Sequence, residues 1–242
     1  MKRYLCNIGF WELYIRSQFI NQIELLYESI QNRLIPTFDT IEKEAEEISK
    51  KEYNRLCSSL YSPDIDLADI AERAEEAGIE YYMSLSGIKQ TLLNITATAL
   101  YHLFEQQITF FLRLEVLPPA QENHTKLMKV STFEEELRKK GINIRSFCSW
   151  NKIEELRIVA NTIKHAEGRA ASDLRRRRPD LFKPQSIKSF SYGTPISRIY
   201  MPLAGEDIFV TKGDLLKYKN VLTDFWIEFI DTCLKYKDNQ AT

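Results

Sequence analysis

From Ser84 to Leu117 the chain runs without a proline and with a single glycine, Gly87, until Pro118-Pro119 stops it. Leu92, Leu93, Leu100, Leu103, Phe104, Ile108, Phe111 and Leu112 put apolar side chains on most sides of the helix this stretch predicts, with Ser84 or Ser86 as its cap. A helix that is apolar nearly all round belongs in the middle of a fold. Asn94, His102, Glu105, Gln106, Gln107 and Arg113 interrupt it, so no apolar run approaches the ~18 residues of a membrane span. A chain with such a centre must supply other helices to cover it. Eight glycines and eight prolines in 242 residues leave room for long helices and few turns.

The rest of the chain supplies the covering helices. Helical periodicity runs from about Phe10 to Arg33 and stops at Pro36. A charged helix over Phe38 to Leu60 carries Glu42, Lys43, Glu44, Glu46, Glu47, Lys50 and Lys51, a solvated face with acidic docking as its functional alternative. Ser62-Pro63-Asp64 reads as a turn, and a short acidic helix follows from Asp66 to Ala77, with Gly78 as a break. Ser131 or Thr132 caps a helix from Phe133 to Lys140, which Gly141 ends. Residues 150–168 form a helix with Asn151 as cap, Glu154 completing a capping box, and Gly168 as stop. Ser172 caps a basic turn or two that Pro179 closes. Residues 183–197 are irregular. Ile199-Tyr200-Met201 and Ile208-Phe209-Val210-Thr211 read as a small β-hairpin, and Asp214 caps a last amphipathic helix to about Tyr236. The expected architecture is mainly α, an up-and-down helical bundle with one hairpin near the C-terminus. It forms a single domain in three parts: N-terminal helices (1–80), a core (80–170) and a basic segment with hairpin and last helix (171–242).

Net charge is −1, so no global field announces a nucleic acid or membrane partner. The distribution is uneven: residues 1–120 sum to −7 and residues 121–242 to +6. An RNA-facing C-terminal half and complementarity within or between chains both fit that asymmetry. Cys6, Cys57, Cys148 and Cys233 form no CxxC pair and do not group with the three histidines, which argues against a zinc site or disulfide framework. Met1-Lys2-Arg3 leads into no apolar leader region, and a cytoplasmic location is expected. No P-loop, dinucleotide glycine fingerprint, nucleophile elbow or metal-ligand spacing is present, and no cofactor is expected.

The chemistry left is on the 150–168 helix. Ile153, Leu156, Val159, Ala160 and Ile163 share one side, and Glu154, Arg157, Asn161, Lys164 and His165 an adjacent one. Histidine is the side chain suited to proton transfer at neutral pH, so His165 suits removal of a proton from a ribose 2′-hydroxyl. Arg157 and Lys164 suit a phosphate, and Asn161 suits orientation of the imidazole or the sugar. Arg157 and His165 lie roughly 12 Å apart along the axis. They converge only by long side-chain reach or across a dimer. A structural use is also open: Glu154 with Arg157 as an i,i+3 pair, and Lys164 and His165 as cations at a helix C-terminus. His102 and Glu105, one turn apart on the apolar helix, either pair within it or line the same cleft as His165. Of the run Arg175-Arg176-Arg177-Arg178, one or two are expected to reach that face, with Arg175 and Arg176 as substrate binders.

The segment Glu155-Leu156-Arg157 with Val159-Ala160-Asn161-Thr162-Ile163-Lys164-His165-Ala166-Glu167-Gly168 resembles the signature helix of HEPN-like proteins. Leu100-Tyr101-His102-Leu103-Phe104-Glu105 resembles an earlier helix of the same bundle. The resemblance covers roughly residues 80–170 and implies a helical bundle, dimeric as a rule, with the polar motif at the dimer cleft. It implies a metal-independent ribonuclease of a bacterial toxin–antitoxin or antiviral defence system, with RNA and an antitoxin or defence-system protein as partners. Other members only bind, so a non-catalytic module for RNA or a partner protein is the alternative. Family nucleases place four to six residues between Arg and His; here seven separate Arg157 from His165, and Ile158 follows the Arg.

Overall fold

The computed structural model describes residues 7–58, 66–184 and 198–241, and every regular element among them is helical. Asn7 caps the first helix by accepting the Phe10 N–H at 3.3 Å. α1 (Ile8–Tyr14) and α2 (Asn21–Ser29) form one rod through a π turn, Ile15–Ile20. Trp11, Ile15, Phe19 and Ile23 all face inward, four residues apart. A strict spacing of four drifts around a helix of 3.6 residues per turn, and the wider π turn takes up the drift. A second π turn, Ile30–Leu34, and a 3-10 turn around Pro36 end the rod.

α3 (Ile41–Ser58) packs along the first half of α4 (Leu67–Phe111), which is 45 residues long, or about 68 Å. The sequence reading split α4 into two helices at Gly78, and the structure corrects this. Gly78 is buried where α3 crosses closely, and a Cβ there would lie 2.9 Å from the Ala45 carbonyl oxygen. The glycine serves helix approach and not chain reversal. Neither Ser84 nor Ser86 is a cap; Asp66 is, accepting the Ala68 N–H at 2.8 Å. The Ser62-Pro63-Asp64 turn and nearly all of the irregular 183–197 stretch lie outside the described residues.

The second half of α4 is the centre of the molecule, as its composition predicts, and α2, α6 and α8 pack around it. α5 (Val130–Lys139) starts at Lys129 without a side-chain cap, so neither Ser131 nor Thr132 plays that part. α6 (Trp150–His165) is also not capped by Asn151, which is exposed and inside the helix. Instead Glu228 accepts the backbone N–H groups of Cys148 and Ser149 and the Ser149 hydroxyl, at 3.0, 3.3 and 2.6 Å. α7 (Arg169–Arg177) contains Ser172 and does not begin at it. α8 (Lys212–Ala241) opens with a reciprocal cap: Asp214 N–H donates to Thr211 Oγ1, and Thr211 N–H to the Asp214 carboxylate. Phe104, Phe111, Phe133, Phe225, Trp226 and Phe229 build the aromatic core where α4, α5 and α8 meet. Trp226 Nε1 donates to Gln107 Oε1 at 2.9 Å, and Gln107 Nε2 to the Phe19 carbonyl, which joins α8, α4 and α1–α2 through buried polar atoms.

No strand forms among the described residues, so the predicted hairpin is absent. Its two halves find other partners. The Tyr200 and Met201 N–H groups donate to the Asp207 carboxylate at 2.7 and 2.8 Å. Fully buried Asn94 donates to the Pro202 and Ile208 carbonyls and accepts the Val210 N–H. A helix side chain thus satisfies the backbone groups a second strand would have used. Gly205, at φ +80, brings the turn so near α4 that a Cβ would meet the Gly87 carbonyl.

Candidate functional site on helix α6

α6 buries Ile153, Leu156, Val159, Ala160 and Ile163 as the periodicity predicts, and also Glu155 and Ile158, so its polar strip is narrow. Along that strip the predicted site residues separate into two groups.

The first group is at the middle of the helix. Arg157 donates three hydrogen bonds to Glu154, at 2.9 to 3.3 Å, and is half-buried. Burial disfavours its charge, but Glu154 outweighs that and raises its pKa above the usual arginine value. Across from it on α4, Tyr101 is buried, and its hydroxyl lies 3.5 Å from Glu105. Burial, with the Glu105 charge beside it, pushes that hydroxyl well above the ordinary tyrosine range, while nearby Arg157 opposes. His102 Nδ1 lies 3.1 Å from Glu105 Oε2. Tyr101, which feels the charges of both Glu105 and Arg157, thus links the His102–Glu105 pair to the Arg157 end of the strip. Arg176 joins this side too, paired with Asp173, whose charge is felt at Arg157.

The second group is at the C-terminal tip. Asn161, Lys164 and His165 lie within one turn of each other, and Lys164 and His165 are exposed. No hydrogen bond or ion pair engages either of them among the described residues. The chain turns sharply after His165: Ala166 holds φ +55, a strained setting for a residue with a Cβ, and Gly168 φ +148. Gly168 stands before α7 and does not end α6, whose C-cap is Ala166. Arg169 opens α7 at the surface. Arg175 donates to Glu167 at 2.8 Å and stands over the Phe182 ring, 5.4 Å from its centre. Glu167 also accepts the Ile199 N–H at 2.7 Å and feels the charge of Arg198. Arg175 holds the Glu167 carboxyl below its usual range. The tip thus carries Lys164, His165 and Arg169 at the surface, with Arg175 and Arg198 acting on the Glu167 carboxylate.

Arg178 was read only as the last of a basic run, and it is the best-held side chain of the region. It donates to Glu155 at 2.7 Å, Asp180 at 2.7 Å and Asp214 at 2.9 Å, with the Tyr218 hydroxyl at 3.4 Å. Those partners drive its pKa further up. This network ties α6, the end of α7 and the start of α8 beneath the tip. The one sequence signal for it was Glu155, an acidic residue placed on the apolar side of α6.

Among the described residues no group of three His, Cys, Asp or Glu side chains is arranged to hold a metal ion, and no helix is long and apolar enough to cross a membrane. A shallow depression of about 480 Å³ at the start of α5 is lined by Ser131, Glu134, Glu135, Arg138, Asn143 and Arg145. Its Arg145 and Glu134 neutralise each other. No protein-family model matches the chain, and comparisons with curated proteins and with solved structures return no match.

Proposed function

We propose that the protein is an HEPN-like, metal-independent ribonuclease of a bacterial toxin–antitoxin or antiviral defence system, with His165 as its acid/base. The observation that carries the reading is the state of His165: an exposed imidazole with no protein partner among the described residues, beside Lys164 and just ahead of Arg169. An exposed imidazole with a free ring nitrogen is the kind of side chain that takes a proton in general-base catalysis. His165 removes the 2′-hydroxyl proton, the 2′-oxygen attacks the neighbouring phosphorus, the P–O5′ bond breaks, and the 5′-oxygen leaves with a proton from water while the His165 imidazolium returns its own to solvent. The products are a 2′,3′-cyclic phosphate and a 5′-hydroxyl. Lys164 and Arg169 hold the non-bridging oxygens, and Asn161, one turn back, orients the sugar or the imidazole. Arg157 takes a positioning part here, because its guanidinium is directed at Glu154. Homodimeric assembly, a cytoplasmic location and an antitoxin or defence-system partner belong to the same proposal.

One observation favours the second reading, a non-catalytic module that binds RNA or a partner protein. The cations of the middle group are already matched by carboxylates, Arg157 by Glu154 and Arg176 by Asp173. Expression of the wild type and of His165→Ala in matched cultures separates the two readings. Growth arrest with RNA fragmentation in the wild type alone supports the nuclease. Intact RNA in both, with RNA retained on both purified proteins, supports the module.

A further inference from the structure

The first half of α4 has two faces. Ile70, Ala74, Gly78 and Tyr81 recur every three or four residues and meet α3: the first three are buried, and the Tyr81 hydroxyl donates to Glu44 at 2.8 Å. Glu72, Glu75, Glu76, Ile79, Tyr82 and Met83 recur at the same spacing on the opposite face, and all are exposed. Ile79, Tyr82 and Met83 are 51%, 42% and 66% exposed. They form an apolar strip on the order of 300 Å², the size at which exposed patches on monomers begin to mark interaction sites. No hydrogen bond or ion pair engages Glu72, Glu75, Glu76 or Glu80 among the described residues.

We infer that this face of α4 docks a basic amphipathic helix of a partner protein, with Ile79, Tyr82 and Met83 taking its apolar side and Glu72, Glu75, Glu76 and Glu80 its lysines or arginines. Charge selects the occupant. The strip is bordered by carboxylates, so an incoming helix with cations flanking its apolar side gains on both terms. RNA is excluded by like charge. A second copy of the same face would bring both sets of glutamates onto one seam, which costs.

The test is fluorescence anisotropy of a labelled Leu/Lys amphipathic peptide with the full chain, with a Leu/Glu peptide of the same pattern as control. The variant is Ile79→Ser with Met83→Ser, two exposed positions, with circular dichroism to confirm an unchanged fold. The Leu/Lys peptide is expected to bind the wild type, to lose about tenfold or more in affinity to the variant, and to weaken with added salt. The Leu/Glu peptide is expected not to bind. Equal affinity for wild type and variant overturns the inference. So does a dimer in light scattering that the double substitution abolishes, because a second copy is then the occupant. Neither result bears on RNA cleavage.

Discussion

Arg178 and its partners make the sharpest case at the scale of single residues. Glu155 and Asp214 are mostly buried, and Arg178 pairs with both, Lys152 adding a second cation to Glu155. Arg178→Met is expected to lower stability to urea by about 3 kcal/mol, the cost of leaving buried Asp214 without its cation while Glu155 keeps Lys152. Burial alone would raise the pKa of Glu155, but Lys152 and Arg178 outweigh it and hold it below the usual carboxylate range. Asp214 behaves alike, with Thr211 and Arg178 outweighing burial. A folded pKa below the unfolded one means stability that is complete above the unfolded value and lost as pH falls through the folded value. Glu155→Gln is therefore expected to cost most at neutral pH, with the gap from wild type narrowing below about pH 4.5. A gap that stays constant down the acid limb would show that the charge of Glu155 contributes nothing. Arg157→Gln, by contrast, breaks a half-exposed pair and should cost no more than about 1 kcal/mol.

Among the elements, α4 decides the layout, and two of its residues can be tested directly. At Gly78 a Cβ would lie 2.9 Å from the Ala45 carbonyl oxygen, a backbone atom that cannot swing aside, so Gly78→Ala is expected to destabilise although alanine brings about 1 kcal/mol of helix propensity. Gly78→Leu cannot be absorbed and should cost about 1–3 kcal/mol, with faster hydrogen exchange in α3. Asn94→Ala removes the donor of two buried carbonyls and the acceptor of one N–H. It should cost about 3 kcal/mol and open residues 199–210 to proteolysis. These same two residues explain where sequence reading stopped. Periodicity is local, so it located the centre of α4, the last helix and the buried side of α6. Gly78 reads as a helix breaker until α3 is seen against it. The segments around Tyr200 and Phe209 read as strands because their residues favour extension, and only the fold reveals that Asn94 and Asp207 take their backbone bonds. The cap on α6 failed for a similar reason: Glu228 reaches α6 from 79 residues away.

For the whole molecule, the bundle sorts charge. The face of α4 away from α3 is acidic, and the tip where α6 meets α7 is basic, which is how a nearly neutral chain carries −7 in its first half and +6 in its second. The candidate site was legible as a set of residues and not as a place. Helical spacing puts Asn161, Lys164 and His165 within one turn, while Glu105 and Asp173, the partners of His102 and Arg176, act on the Tyr101 and Arg157 pair. The reading of the tip as a ribonuclease centre rests on His165, and one measurement addresses it most directly. Purified wild type and His165→Ala are each mixed with a single-stranded RNA in the presence of EDTA, and the cleavage products and bound RNA are followed together. The account predicts cleavage by the wild type to 2′,3′-cyclic phosphate ends, none by His165→Ala, and RNA binding by both. Cleavage at the same rate by both proteins, or intact RNA with the wild type, would contradict it.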